Sequence, residues 1–384
     1  MAPRDPIAVD LARRIYDYGL TLEDLGPRLH GRAAETRSRR LLLLPWPDGL
    51  EPTPEELPTE PDPGDALPRA DVLVVTWTAA EMRALADVLT PGVDPGRRWY
   101  RYDRFFDSYR DKIRRGAPAL GANRLGSYYP TRIGSKKVLC VKSELHMNQD
   151  GIATGTGTAT LPLRTFLEQI YDEVRPKLVI TVGTAGGTLP TAELGDVMIT
   201  RAARFRCTKE FRNEAFNDKT YVSSATIRRK HLATALELMQ VHAAELVEPD
   251  FGPPTKFYPD GPLVAGHANT PSILVEGRDF PKGLPMLTTD YFEFGTSANG
   301  LDQVGCGVEM GDAVFGLVAE GLGATGPKWL VVRNASDPQI NGDLPTGPPS
   351  ALDMQAHWAV WYYEAFGYWT SVNSAIATWA LIAP

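Results

Sequence analysis

Trp329-Leu330-Val331-Val332-Arg333-Asn334-Ala335-Ser336-Asp337 is the stretch that decides the fold of this 384-residue chain. Its first four residues form a continuous apolar run, as in a strand buried on both faces of a sheet. A base, a hydroxyl and a carboxylate follow at its carboxyl end. In an open α/β sheet that end lines the ligand crevice. Upstream, Val308-Glu309-Met310 puts another carboxylate at what reads as a helix start. One carboxylate at a crevice can hold hydroxyls while another protonates a leaving group.

The same rhythm extends outward. Val72-Leu73-Val74-Val75, Val138-Leu139-Cys140-Val141 and Leu178-Val179-Ile180-Thr181-Val182 are further buried-strand runs, and Val197-Met198-Ile199 follows a Gly195-Asp196 turn. Residues 79–89 and 160–174 have helical apolar spacing. Strands alternating with helices predict an α/β fold, a three-layer αβα arrangement around a central mixed β-sheet. Residues 70–384 form the predicted domain. Residues 1–69 read as an N-terminal arm and Pro/acid-rich linker: 7–20 have helical spacing, and a proline- and acid-rich run opens at Pro45-Trp46-Pro47 and continues to Pro68. Residues 95–135 read as an insertion, and Arg97-Arg98-Trp99-Tyr100-Arg101-Tyr102 as arginines snorkelling over an aromatic cluster rather than a binding surface. Residues 251–262 read as a loop.

Composition excludes several classes. A net charge of −7 supplies no basic field for a polyanion, so no nucleic-acid partner is expected. Three cysteines, widely spaced and odd in number, point to a reducing compartment without a disulfide framework. The six histidines show no metal-binding spacing, so no metal is expected. Residues 1–10 lack a signal-peptide core. The apolar stretch 368–383 is shorter than the ~18–20 residues a membrane span needs and reads as a buried C-terminal helix. The expected setting is cytoplasmic, with no membrane partner.

Four motifs occur in order: Gly183-Thr184-Ala185-Gly186-Gly187 after a strand, Leu194-Gly195-Asp196-Val197, Val308-Glu309-Met310, and Arg333-x-x-Ser336-Asp337. With Val74-Val75-Thr76-Trp77-Thr78-Ala79-Ala80-Glu81 as an opening strand and a glutamate at the first helix, the chain resembles the purine nucleoside phosphorylase and nucleosidase superfamily, nearest to its nucleosidase branch. The resemblance spans roughly residues 70–380. It implies cleavage of the N-glycosidic bond of a purine nucleoside or nucleotide-like compound. Asp337 would protonate or hydrogen-bond the base, and Glu81 would position or deprotonate a water. Thr184, Ala185 and Gly186 would edge base and sugar, Met310 would pack beneath the sugar, and Phe292 would stack on the base. Glu309, Asp312 and Ser336 complete the implied substrate-binding set.

The chain departs from the family at Gly311, where a second glutamate usually grips the sugar hydroxyls. A glycine has no side-chain acceptor. Asp312 lies about 100° further round a helix, and Glu309 is the other substitute. The family's phosphate-holding arginine is absent before the glycine-rich turn, which favours hydrolysis without a cofactor. Met82-Arg83-Ala84 resembles a phosphorylase phosphate loop, so Arg83 with phosphate as co-substrate is the alternative. A nucleoside-binding protein that has lost catalysis is a further one. Arg333 reads equally as a ligand contact or as the partner of a helix carboxylate, and His146 as a structural histidine. The aromatic C-terminal helix and the resemblance both imply a homo-oligomer. If Asp337 and Thr184 share one nucleoside-sized pocket, they lie within about 15 Å of each other.

Overall fold

A computed structural model describes residues 42–244, 270–323, 326–346 and 353–384. The helical spacing read at 7–20 and the loop read at 251–262 lie outside the described residues. Among those described, thirteen strands form one mixed sheet. They are β1 (Pro52–Pro54), β2 (Val72–Thr76), β3 (Tyr100–Tyr102), β4 (Gly126–Ile133), β5 (Lys136–Ser143) and β6 (Leu178–Gly187). Then come β7 (Val197–Thr200), β8 (Ala202–Arg206), β9 (Thr220–Val222) and β10 (Ile273–Val275). Last are β11 (Met286–Thr289), β12 (Gly307–Glu309) and β13 (Lys328–Asp337). The longer helices are α1 (Ala79–Leu89), α2 (Pro162–Val174), α3 (Leu232–Ala243), α4 (Asp312–Gly321) and α5 (Met354–Ile382).

The centre is parallel. β2 pairs with β5 and β6, and β6 with β13, so their carboxyl ends open on one side. Alternate residues serve opposite faces, as a period of two requires. Leu73, Val75, Leu139, Val141, Val179 and Val331 pack in one apolar cluster with Phe166, Ile170 and Phe315 of α2 and α4. Val72, Val74, Val138, Cys140, Ile180 and Val332 join the other, with Leu85 of α1, Met239 of α3 and Ile376 of α5. Helices on both faces make the three-layer αβα arrangement around a mixed sheet.

Two readings need adjustment. The 95–135 insertion contains β4, which pairs with β5 antiparallel along its full length. Pro130 hides it, because proline cannot donate to a ladder and is confined to edges or bulges. On its outer side β4 meets, among the described residues, the short strands β1 and β3. The basic-aromatic run is structural: Tyr100 stacks on Tyr129 at 5.4 Å, and Arg101 pairs with Asp103. The arm is packed where described. β1 extends the sheet beyond β4, Glu55 pairs with Arg132 at 2.7 Å, and Leu50 accepts a hydrogen bond from the Trp379 indole.

Trp358, Tyr362, Phe366, Trp369 and Trp379 of α5 are buried within their own chain, while Trp361, Tyr363 and Tyr368 are half-buried. Trp358, Tyr362 and Phe366 pack with Leu194, Ile340 and Leu344, with Phe292 and Phe294 against them. Trp369 stacks on His242 and Trp379 lies beneath Trp46. No described helix is long and apolar enough to cross a membrane.

The loop bearing Phe292 and Phe294 presses on the end of β6. A Cβ at Gly295 would collide with the Gly187 carbonyl and come within 2.8 Å of Thr188 Cα. Both are buried backbone atoms, at the end of β6 and just past it. Gly295→Ala is expected to cost about 1–3 kcal/mol, seen as a lower thermal midpoint with an unchanged far-UV spectrum.

Candidate active site

The site begins where β2 turns into α1. Thr78 caps the helix by accepting from the Glu81 N–H, and Glu81 Oε2 accepts from the Thr78 N–H at 2.9 Å, a reciprocal capping box. The same oxygen accepts from Trp77 N and Thr76 Oγ1. Oε1 reaches across to β6 and accepts from Thr184 N at 2.8 Å and Thr184 Oγ1 at 2.9 Å. Five donors thus converge on one buried carboxylate. Burial pushes its pKa up, but the Arg333 charge and these N–H groups outweigh that and hold it below the usual value. Glu81 is ionised and ties the first helix to the glycine-rich turn.

Arg333 stands at the middle of the crevice, 4% exposed. Its Nε and Nη2 donate to Asp312 Oδ2 and Oδ1 at 2.9 and 2.6 Å, a bidentate pair. Nη2 also lies 3.2 Å from Glu309 Oε2, and Nη1 donates to the Thr184 carbonyl at 3.1 Å. The guanidinium sits 5.0 Å from the Trp77 ring centroid. Burial opposes its charge, but Asp312 and Glu309 outweigh that and raise its pKa. Of the two roles read for Arg333, its contacts are those of a partner to a helix carboxylate.

Glu309 ends a strand rather than starting a helix, because it continues β12 opposite Thr288 of β11. Gly311 is the cap and Asp312 the first residue of α4. The Glu309 oxygens accept from Gly311 N, Asp312 N and Thr288 Oγ1. Burial, then the Asp312 charge, push its pKa up against the pull of Arg333.

Asp337 closes the other end of the crevice. β13 pairs in register with β6 until an irregularity between Ala335 and Asp337, after which Asp337 sits opposite Gly186. Such a bulge re-aims a side chain. Asn334 pairs with Thr184, so Asp337 and Thr184 share neighbouring strands. This places them well inside the ~15 Å that one nucleoside pocket spans. Ser336 Oγ donates to Asp337 Oδ1 at 2.9 Å and lies 3.2 Å from the Ala185 carbonyl. Oδ2 is buried with no partner among the described residues. A Cβ on Gly186 would meet that oxygen at 3.1 Å, Val308 at 3.1 Å and Phe294 Cα at 3.3 Å. Gly186 therefore leaves room between an acid and an aromatic segment. Burial pushes the Asp337 carboxyl up to about 7 against the Ser336 hydrogen bond.

The structure gathers Glu81, Thr184, Ala185, Gly186, Glu309, Asp312, Ser336 and Asp337 at these strand ends. Phe292 lies 5.7 Å from Phe294, ring to ring. Met310 Sδ is 3.0 Å from Asn148 Nδ2, on the segment after β5. Arg83 lies elsewhere: two residues past Glu81, it is about 200° round α1, and its charge acts on Asp87 and Tyr368. His146 donates its N–H to Asp150. Three residues of the site escaped the sequence reading. Trp77 had a usable signal, its position directly past a buried strand. Asn148 and Phe294 had none beyond their neighbours.

No protein-family model matches the chain, and no curated protein does. Among solved structures it is similar to the 5'-methylthioadenosine/S-adenosylhomocysteine nucleosidase of Neisseria meningitidis, at 14% identity over 81% of this chain and 98% of that one, TM-score 0.40. It is similar to S-adenosylhomocysteine nucleosidase of Streptococcus pyogenes at 13% identity, 83% and 98% coverage, TM-score 0.41. Futalosine hydrolase of Helicobacter pylori gives 11%, 81% and 96%, TM-score 0.41. Likeness at this level leaves substrate and mechanism to the side chains of this chain.

Proposed function

We propose that the chain hydrolyses the N-glycosidic bond of a purine nucleoside or nucleoside-like compound. The observation that carries this reading is Asp337: a buried carboxyl with one oxygen unpartnered among the described residues and its pKa raised to about 7. Such a group is substantially protonated at neutral pH, as a general acid for a departing base must be. Gly186 gives the base edge access to it, and the Phe292–Phe294 segment supplies a stacking face.

Glu81 acts in this reading as a positioning residue. Its oxygens are occupied by five donors in the unliganded chain, so in this reading Glu81 leaves the surplus proton of the water, once that water has added to the cation-like sugar, to solvent. It fixes Thr184, whose hydroxyl donates to Glu81 and keeps lone pairs to accept from the attacking water. Glu81→Gln would turn an amide N–H towards these donors and is expected to lower turnover through that misplacement.

Phosphorolysis is the alternative through Arg83, which the Asp87 and Tyr368 environment disfavours. Base release from a panel of purine nucleosides, followed by chromatography with and without phosphate, separates the readings. Release that phosphate does not accelerate, and that Arg83→Ala leaves intact, is the expected result. A phosphate requirement abolished by Arg83→Ala makes the chain a phosphorylase, and no release from any nucleoside leaves a binding protein. Because the acid must be protonated, kcat/KM is expected to fall as pH rises through about 7.

A further inference from the structure

The surroundings of Gly311 restrict which sugar the site accepts. A buried ribose presents two vicinal hydroxyl donors, and each needs an acceptor or its desolvation goes uncompensated. Both nearby carboxylates are already engaged and buried, Glu309 7% and Asp312 0% exposed. Glu309 takes the N–H groups of Gly311 and Asp312, the Thr288 hydroxyl and one Arg333 contact. Asp312 is chelated by Arg333. Position 311 has no side chain, and its space is filled: a Cβ there would lie 3.2 Å from both Trp77 Cε2 and Cζ2.

Two buried polar atoms remain unpaired beside this spot among the described residues. They are the Trp77 Nε1–H, a donor, and Asn148 Oδ1, an acceptor. Trp77 is 5% exposed and Asn148 9%. The Asn148 amide is held beside Met310, its Nδ2 being 3.0 Å from the sulfur. Buried polar groups without partners are uncommon, and a ligand that pairs them accounts for both.

On the proposed reading of the site, we infer that the chain prefers 2′-deoxyribonucleosides to ribonucleosides. Asn148 accepts from the 3′ hydroxyl, the one ring hydroxyl that the deoxy sugar keeps, and Trp77 donates to a sugar oxygen. A ribose carries one donor more than the site can satisfy.

Calorimetric titration of the Asp337→Asn protein with 2′-deoxyadenosine, adenosine, 2′-deoxyinosine and inosine tests this without turnover. The deoxy forms are expected to bind roughly tenfold or more tightly than their ribose counterparts. Asn148→Asp adds an acceptor that can take both hydroxyls and should abolish the preference. Trp77→Phe keeps an aromatic ring of smaller size and removes the donor. Whatever the thermal midpoint loses to the smaller side chain, the variant should bind both sugars roughly tenfold more weakly, whereas a purely structural indole would shift the midpoint and leave sugar binding by the folded protein unchanged. Ribose binding as well as deoxyribose, or an Asn148→Asp preference equal to the parent's, overturns the inference. Base release from ribonucleosides combined with equal binding removes this inference and leaves the hydrolase reading standing. Deoxy-selective binding with no base release does the reverse, and no binding of any nucleoside removes both.

Discussion

Asp337→Asn is expected to lower base release by about 10²–10⁴-fold, the usual contribution of a positioned general acid. The substitution keeps size and hydrogen-bonding shape, so ligand affinity should change little. An amide can donate a hydrogen bond to a purine nitrogen, but it cannot deliver a proton to the departing base. Its neighbours should tolerate the exchange: Oδ1 has the Ser336 hydroxyl, and Oδ2 has no partner to lose. Stability carries an independent sign. The folded pKa of Asp337 lies above its ordinary value, so the folded chain holds a proton that the unfolded chain releases. This contribution is fully favourable below the unfolded value and is lost as pH rises to about 7. The variant cannot titrate there and should be relatively more stable than the parent at pH 8 than at pH 5. Single-turnover assays and melts across pH measure both effects. Unchanged release from every cleaved nucleoside removes Asp337 from the reaction.

The fold was legible because its central strands are buried on both faces. Val72-Leu73-Val74-Val75, Leu178 to Val182 and Trp329 to Val332 contain no alternation to misread, and each became a parallel strand of the sheet centre. β4 was not legible, because Pro130 and the surrounding arginines have the composition of a loop. In the site, residues at strand ends were found and residues held by packing were not. Asp337 and Thr184 follow apolar runs, whereas Asn148 reaches the crevice through a contact with Met310, 162 residues away. Trp77 matters because Gly311 lets its indole in, a relation between two distant positions that neither announces alone. Glu309 reads as a helix start in the sequence because local spacing cannot show its pairing with β11.

The largest structural effect belongs to Arg333. Arg333→Met retains a long apolar stem and removes the charge from a place where Asp312, Glu309 and Glu81 lie 2.6, 3.2 and 3.8 Å away. Three buried carboxylates then share no counter-charge. Breaking a buried ion pair on one side costs about 3–5 kcal/mol, a large share of the ~5–15 kcal/mol that holds a folded protein together. The loss should appear as a much lower urea midpoint or as insoluble expression. Its pH dependence identifies the cause. In the parent, Glu81 titrates below its ordinary value, so its contribution is present at neutral pH and fades as pH falls. Arg333 lowers the pKa of Glu81 and Glu309 against their burial, so without it these two take up protons more readily in the folded state than in the unfolded one. The variant should therefore recover stability on acidification, and its deficit should be smaller at pH 5 than at pH 8. Arg333→Lys keeps a charge without the fork that chelates Asp312, and should fall between parent and Met. The double variant Arg333→Met with Asp312→Leu removes the tightest pair together and should recover part of the loss. A deficit that ignores pH would mean that Arg333 matters for its packing against Trp77 rather than for its charge.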